Sequence, residues 1–198
     1  RFFGHENAIL GFVLAGIIGA MAGITGRKSL GTTNMMNILL QSSMRGVSSM
    51  GQAFVIFTAG IDLSVEGVVL MSAILGATLM TKAPDLSIVS HPWPFFVGVP
   101  IMLLMGTAWG VVNGSLVSRI GIPPLIATLG IWQITNGLGF YLCKGYTISQ
   151  QPDALFFLGA GRIAGVPVPV IIFIVVAVIS YLVLNHTTYG RAIYAVGG

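Results

Sequence analysis

Two carboxylates, Asp62 and Glu66, interrupt an apolar sequence within the run Gly60-Ile61-Asp62-Leu63-Ser64-Val65-Glu66-Gly67. Ionisable groups at membrane depth are functional candidates, because they line polar routes, relay ions or pair with one another. The order of residues predicts a helix that stops at Gly60, since glycine is a common helix stop. It predicts a new helix from Asp62, a strong N-cap residue. The negative charges of Asp62 and Glu66 suit the positive end of that helix. A broken helix is tolerated at membrane depth only when it is buried in protein or lines a wet cavity. The plainer reading of the same spacing is a tight turn at the surface.

Other chemistries find no support. His5, His91 and His186 are far apart, lie in loops or tails and lack ligand spacing, so no metal site is expected. No Ser/His, paired-Asp or metal set converges, which leaves no catalytic residue to name. Gly26-Arg27-Lys28-Ser29 is not a phosphate loop, and Gly159-Ala-Gly161-Arg-Ile-Ala-Gly165 only nearly matches a dinucleotide fingerprint and lacks its strand–helix context. No cofactor is therefore expected, and the chain is not expected to hydrolyse ATP. The single Cys143 excludes an internal disulfide.

The composition sets the solvent. The 198 residues are 55% hydrophobic and 7% charged, whereas a soluble domain carries about 25% charged residues. This predicts an all-α, polytopic membrane helix bundle in contact with lipid. The net charge of +4 comes from nine scattered bases, which form no stripe for nucleic acid. The 27 glycines show no collagen period and point to close helix packing. The first apolar stretch is long and runs on into further spans, unlike a cleavable signal peptide.

About six spans are expected, some broken or re-entrant: Ala8–Ile24, Met35–Ala59, Val65–Met80, Phe95–Val117, Leu125–Leu142 and Val170–Leu184. Gly11, Ala15 and Gly19 give the first a small-residue face. On the second, Asn37, Gln41, Arg45, Ser48 and Gln52 recur every three or four residues and share one face. That face is a candidate wall of an aqueous route, or a polar seam against other helices. Gly106, Gly110 and Gly114 predict a close-packing ridge, with Asn113 beside it in need of a partner. Pro123 and Pro124 break the chain before a helix carrying Thr128, Gln133, Thr135 and Asn136. Paired interruptions of hydrophobic segments point to a transport site; here they are the Gly60–Asp62 and Pro123–Pro124 breaks. The loops Lys82–Pro94 and Lys144–Pro169 and a polar tail from Asn185 complete the chain. Bases divide three (Arg1, Arg119, Arg191) against five (Arg27, Lys28, Lys82, Lys144, Arg162) between the two sides, which by itself favours termini outside.

Three strings in order resemble the permease family of ATP-binding cassette importers for ribose and similar sugars. They are Gly60-Ile-Asp-Leu-Ser-Val65, Asn113-Gly-Ser-Leu-Val-Ser-Arg-Ile-Gly-Ile-Pro-Pro-Leu-Ile-Ala-Thr-Leu-Gly130 and His186-Thr-Thr-Tyr-Gly-Arg-Ala-Ile-Tyr-Ala-Val-Gly-Gly198. The likeness runs from about Met35 to the end and departs at Glu66, where the family carries a small residue. It implies a single permease domain over 1–198, cut before the ATPase-docking helix and the last spans. It implies a homo- or heterodimer of permease subunits in a bacterial inner membrane, ATP-binding cassette ATPases inside and a substrate-binding protein outside. The ends are then cytoplasmic, against the charge count, and Tyr189, Gly190 and Arg191 lie on the ATPase-coupling side. The loops Thr81–Pro94 and Lys144–Pro169 would face the binding protein.

The expected substrate pathway is Asp62, Ser64, Asn113, Thr128, Gln133 and Asn136, with Gln41 and Gln52 of the polar face. Amides and hydroxyls suit a sugar, and Asp62 is expected to cap the re-entrant helix and shape the path. The rival is an ion-coupled secondary transporter using Asp62 or Glu66, which would employ the same broken helices.

Overall fold

Proline marks where this chain turns into helix. The computed structural model describes residues 5–26 and 28–198; Arg1 and Arg27 of the charge count, and the His5 side chain, lie outside what it describes. Helices α1 (His5–Ile24), α2 (Thr32–Phe57), α3 (Val65–Met80), α4 (Phe95–Ser118) and α5 (Pro124–Leu142) follow in order. A short α6 (Asp153–Ala160), a hairpin of β1 (Arg162–Ile163) and β2 (Val166–Pro167), α7 (Val168–His186) and α8 (Thr188–Gly197) complete them. The residue capping the start of α4, α5, α6 and α7 is Pro94, Pro123, Pro152 and Pro167. A proline there sets φ and gives up no N–H that the helix needs.

The burial pattern puts small polar side chains inside and large apolar ones outside. Fully buried side chains include Thr78, Thr81, Thr135 and Ser64, while Phe12, Phe96, Leu103 and Val111 are more than half exposed. Most buried hydroxyls satisfy their hydrogen internally, as Thr78 Oγ1 does on the Leu75 carbonyl at 2.9 Å, and Ser72 Oγ is left without a partner. Among the described residues, two helices, Phe95–Ser118 and Val168–His186, are long and apolar enough to cross a membrane, with mean hydropathies of 2.0 and 2.7. Ala8–Ile24 and Val65–Met80 are apolar but shorter.

Helix α3 sits between α4 and α5. Gly76 of α3 lies against Met102 of α4, Gly98 of α4 against Met80 of α3, and Gly67 of α3 against Thr135 and Trp132 of α5. The second seam joins α2 to α7, where a Cβ on Gly46 would stand 2.6 Å from the Phe173 ring. Glycines at these crossings let the helix axes approach.

Four expectations change. The connection after Lys144 is not irregular throughout, since it holds α6 and the β1–β2 hairpin. The polar tail is helix α8, folded back on α7 and α2. The ridge Gly106–Gly110–Gly114 is packed only at its first residue: a Cβ on Gly106 would stand 3.7 Å from Ser72 Oγ of α3, whereas one on Gly110 or Gly114 would meet nothing within 4 Å. Gly11 and Gly19 of α1 are equally open. The loops that follow α3 and α5 do meet, through Thr81 Oγ1 on the Ser149 carbonyl at 2.6 Å and Lys144 Nζ on the Asp85 carbonyl at 3.0 Å. They form one continuous surface at one end of the bundle.

Candidate functional site: a cavity between two helix breaks

The first break is built by backbone geometry. Helix α2 ends at Phe57, and Thr58 caps it. Gly60 N donates to the Val55 carbonyl at 3.1 Å and Ala59 N to the Ile56 carbonyl at 2.9 Å, the paired bonds of a Schellman stop. The left-handed residue of that stop is Ala59, at φ 56°, and not Gly60. Gly60 is needed for space instead, since a Cβ would stand 3.1 Å from Val55 Cγ1. An alanine held left-handed costs about 1 kcal/mol. Ala59→Gly is therefore expected to raise stability by about that amount, read as the melting temperature of the detergent-solubilised full-length protein. An unchanged or lower melting temperature would count against strain at this stop.

Asp62 is not the N-cap of α3, as the sequence suggested; Ser64 holds that place. The Asp62 carboxylate acts two residues upstream. Its Oδ1 accepts from Ser64 N at 2.7 Å and from Ser64 Oγ at 2.6 Å. Ser64 Oγ in turn accepts from Asn113 Nδ2 at 2.6 Å, across 49 residues of sequence. Gln52 Nε2 of α2 donates to the Asp62 backbone carbonyl at 2.5 Å. The break is thus tied to α2 on one side and to α4 on the other.

A cavity of about 460 Å³ opens beside this chain of bonds. Asp62 and Gly60 of the first break line it, together with Asn113 and Gly114 of α4, and Pro124 and Thr128 at the start of α5. The two interruptions therefore share one space. A smaller cavity of about 220 Å³, lined in part by Ser64 and Gly106, has Val55, Asp62, Gly110 and Asn113 in common with it. A third, open groove of about 500 Å³ carries Arg45, Ser48, Gln52 and Glu66 beside Asp62.

The remaining sequence candidates fall elsewhere. Gln133 is exposed and Asn136 half-buried on α5, and neither lines the cavity. The buried face of α5 is Ala127, Thr128, Ile131, Thr135 and Gly139, turned to α3. Gln41 and Asn37 are exposed on the upper part of α2, apart from the groove that takes the lower part of their stripe. Pro123 caps α5, and Pro124, its first residue, reaches the cavity. Tyr189 and Arg191 are exposed on α8, whereas Gly190 is buried against the Leu184 carbonyl. Among the described residues, no group of three His, Cys, Asp or Glu is placed to hold a metal.

Val196 also lines the cavity, which sequence reading missed. The local signal was present. Thr187 caps α8 by accepting from Gly190 N at 3.2 Å, and Gly190, Ile193 and Gly197 then recur at helical spacing. Through that face α8 reaches the end of α2, where Tyr194 packs on Phe57 with ring centroids 5.2 Å apart.

The family model of the branched-chain amino acid transport system / permease component matches residues 34–198, which hold both breaks and the cavity. The chain belongs to this permease family. The permease is 34% identical over 169 residues to a ribose import permease protein of Haemophilus influenzae, covering 83% of this chain and 50% of that protein. It is 33% identical over 187 residues to a D-allose transport system permease protein of Escherichia coli, covering 94% and 55%. It is 32% identical over 182 residues to a fructose import permease protein of Rhizobium meliloti, covering 88% and 48%. The chain thus spans about half the length of these curated relatives. No solved structure matches it. The family and the relatives agree with the likeness carried by the three strings, and place the chain among membrane transport permeases.

Proposed function

We propose that this chain is part of the permease subunit of an ATP-binding cassette importer. The importer moves a sugar or sugar-like polar solute into a bacterial cell across the inner membrane by alternating access. The observation that carries this is the cavity joining the Asp62 break to the Pro124 break, in a chain of this family. Partner ATPases supply the energy, a substrate-binding protein delivers the solute, and a second permease subunit, identical or not, completes the pore. About six spans with cytoplasmic ends fit this arrangement. The joined loops after α3 and α5 then face the binding protein, and α8 faces the ATPases. The names of the relatives do not favour the ion-coupled alternative.

Asp62 is the residue to test. In Asp62→Ala, Ser64 N–H and its hydroxyl lose their acceptor, at about 1–3 kcal/mol for each buried group left unpaired. Asp62→Asn keeps an acceptor oxygen in place and removes the charge. Sugar uptake by the assembled full-length importer is expected to fall steeply in Asp62→Ala and partially in Asp62→Asn. Unchanged uptake and ATPase coupling in both variants would remove Asp62 from the path.

A further inference from the structure

The hydroxyls facing the cavity have already committed their hydrogens. Thr58 Oγ1 donates to the Val55 carbonyl at 2.8 Å, Thr128 Oγ1 to the Pro124 carbonyl at 2.8 Å, and Ser118 Oγ to the Gly114 carbonyl at 2.6 Å. All three residues line the cavity. A hydroxyl has one hydrogen and two lone-pair sites. Each of the three therefore turns only acceptor capacity toward the open space. Asp62 adds a carboxylate, and among the described residues no Lys or Arg lines this cavity.

Asn113 adds an unpaired acceptor by a longer route, while its second Nδ2 hydrogen stays free to donate. Oδ1 of Asp62 accepts the Ser64 hydroxyl hydrogen, so Ser64 Oγ can only accept from Asn113. An amide can satisfy that acceptor only with its nitrogen. The orientation of the Asn113 amide is thereby fixed, and its oxygen points away from Ser64. That oxygen has no partner, although Asn113 is only 8% exposed and borders both cavities. A buried acceptor left unpaired is costly, and a ligand hydrogen relieves the cost.

We infer that the cavity selects its solute by the hydrogens the solute donates. Asn113 is the specificity-determining acceptor, Ser64 positions it, and Asp62 sets the direction of the bonds. The inference rests on the importer reading above and assigns the residue that reads the solute.

The test uses the full-length permease with its ATPase and binding protein, offered ribose, D-allose, fructose and L-arabinose. For each sugar taken up, monodeoxyfluoro derivatives are compared with the parent, because a C–F group keeps the size of C–OH and cannot donate. The same binding protein serves every variant, so its own selectivity cancels. Wild type is expected to lose about tenfold in uptake at each of two hydroxyl positions, one read by Asn113 and one by Thr128, the scale of one hydrogen bond to a buried acceptor. Asn113→Ala brings the parent down to the fluoro sugar at the first of them alone. Thr128→Val does the same at a different position, and serves where Asn113→Ala does not fold. A purely structural defect would lower every sugar equally and leave the ratios intact. Unchanged ratios in the variants overturn the inference and leave the sugar reading standing. Uptake of none of the four sugars overturns the sugar reading, and the inference with it.

Discussion

Gly67→Val is expected to abolish accumulation of folded permease in the membrane. Gly67 is buried at the crossing of α3 and α5, five residues after Asp62. A Cβ there would overlap Thr135 Oγ1 and stand 2.8 Å from the Trp132 carbonyl oxygen. Neither neighbour can retreat. Thr135 is fully buried, with its hydroxyl bound to the Ile131 carbonyl at 2.8 Å, and the Trp132 oxygen belongs to the helix backbone. Forcing extra carbons into such a seam costs about 1–3 kcal/mol for small additions, and more where backbone must move. Gly67→Ala should therefore lower the melting temperature of the full-length protein in detergent, and Gly67→Val should leave little monodisperse protein to measure. Gly110→Ala is the packing control, because its Cβ meets nothing within 4 Å. A Gly67→Val protein that melts with wild type would contradict the α3–α5 crossing.

Gly197→Val is expected to break transport while the protein still folds. Gly197 lies at the end of α8, where a Cβ would overlap the Phe57 carbonyl oxygen and stand 3.2 Å from Thr58 Cα. Those residues are the last of α2, directly before the left-handed Ala59 and the Asp62 turn. Val196, one residue earlier, is in the cavity wall. A displacement of α8 is thus delivered to the break and to the cavity together. If α8 faces the ATPases, this contact is where their motion reaches the solute path. The substitution pushes α8 off α2 at about 1–3 kcal/mol of overlap, a cost carried at the rim of the fold and not in its core. Uptake should drop by about tenfold or more, since that energy range spans one to two decades. ATPase activity in the assembled importer should persist, uncoupled from uptake. Wild-type uptake at equal membrane abundance would show that α8 does not drive the break.

Asp62 illustrates how far local reading goes. Its place at a helix interruption was legible, because glycine, an acid and a small polar residue between apolar runs leave few alternatives. Its bonding was not, because the acceptor serves Ser64 and through it Asn113, a partner on another helix. The stripe on α2 divides for the same kind of reason. Period fixes that Asn37, Gln41, Arg45, Ser48 and Gln52 share a face. The groove beside Asp62 reaches only Arg45, Ser48 and Gln52.

By itself the sequence determined the helical class, the proline-marked start of α5, the acidic break and the strings that carry the family likeness. These depend on hydropathy, on φ restriction and on residue order, all of which are local. Only the tertiary structure decided that Gly110 and Gly114 border a cavity, that Gln133 and Asn136 do not, and that the tail is a helix pressed on α2. In lipid, one apolar helix face is as well solvated as another. Which face meets protein is set by the fit of small residues and by a few hydrogen bonds between distant segments, and neither leaves a period in the chain.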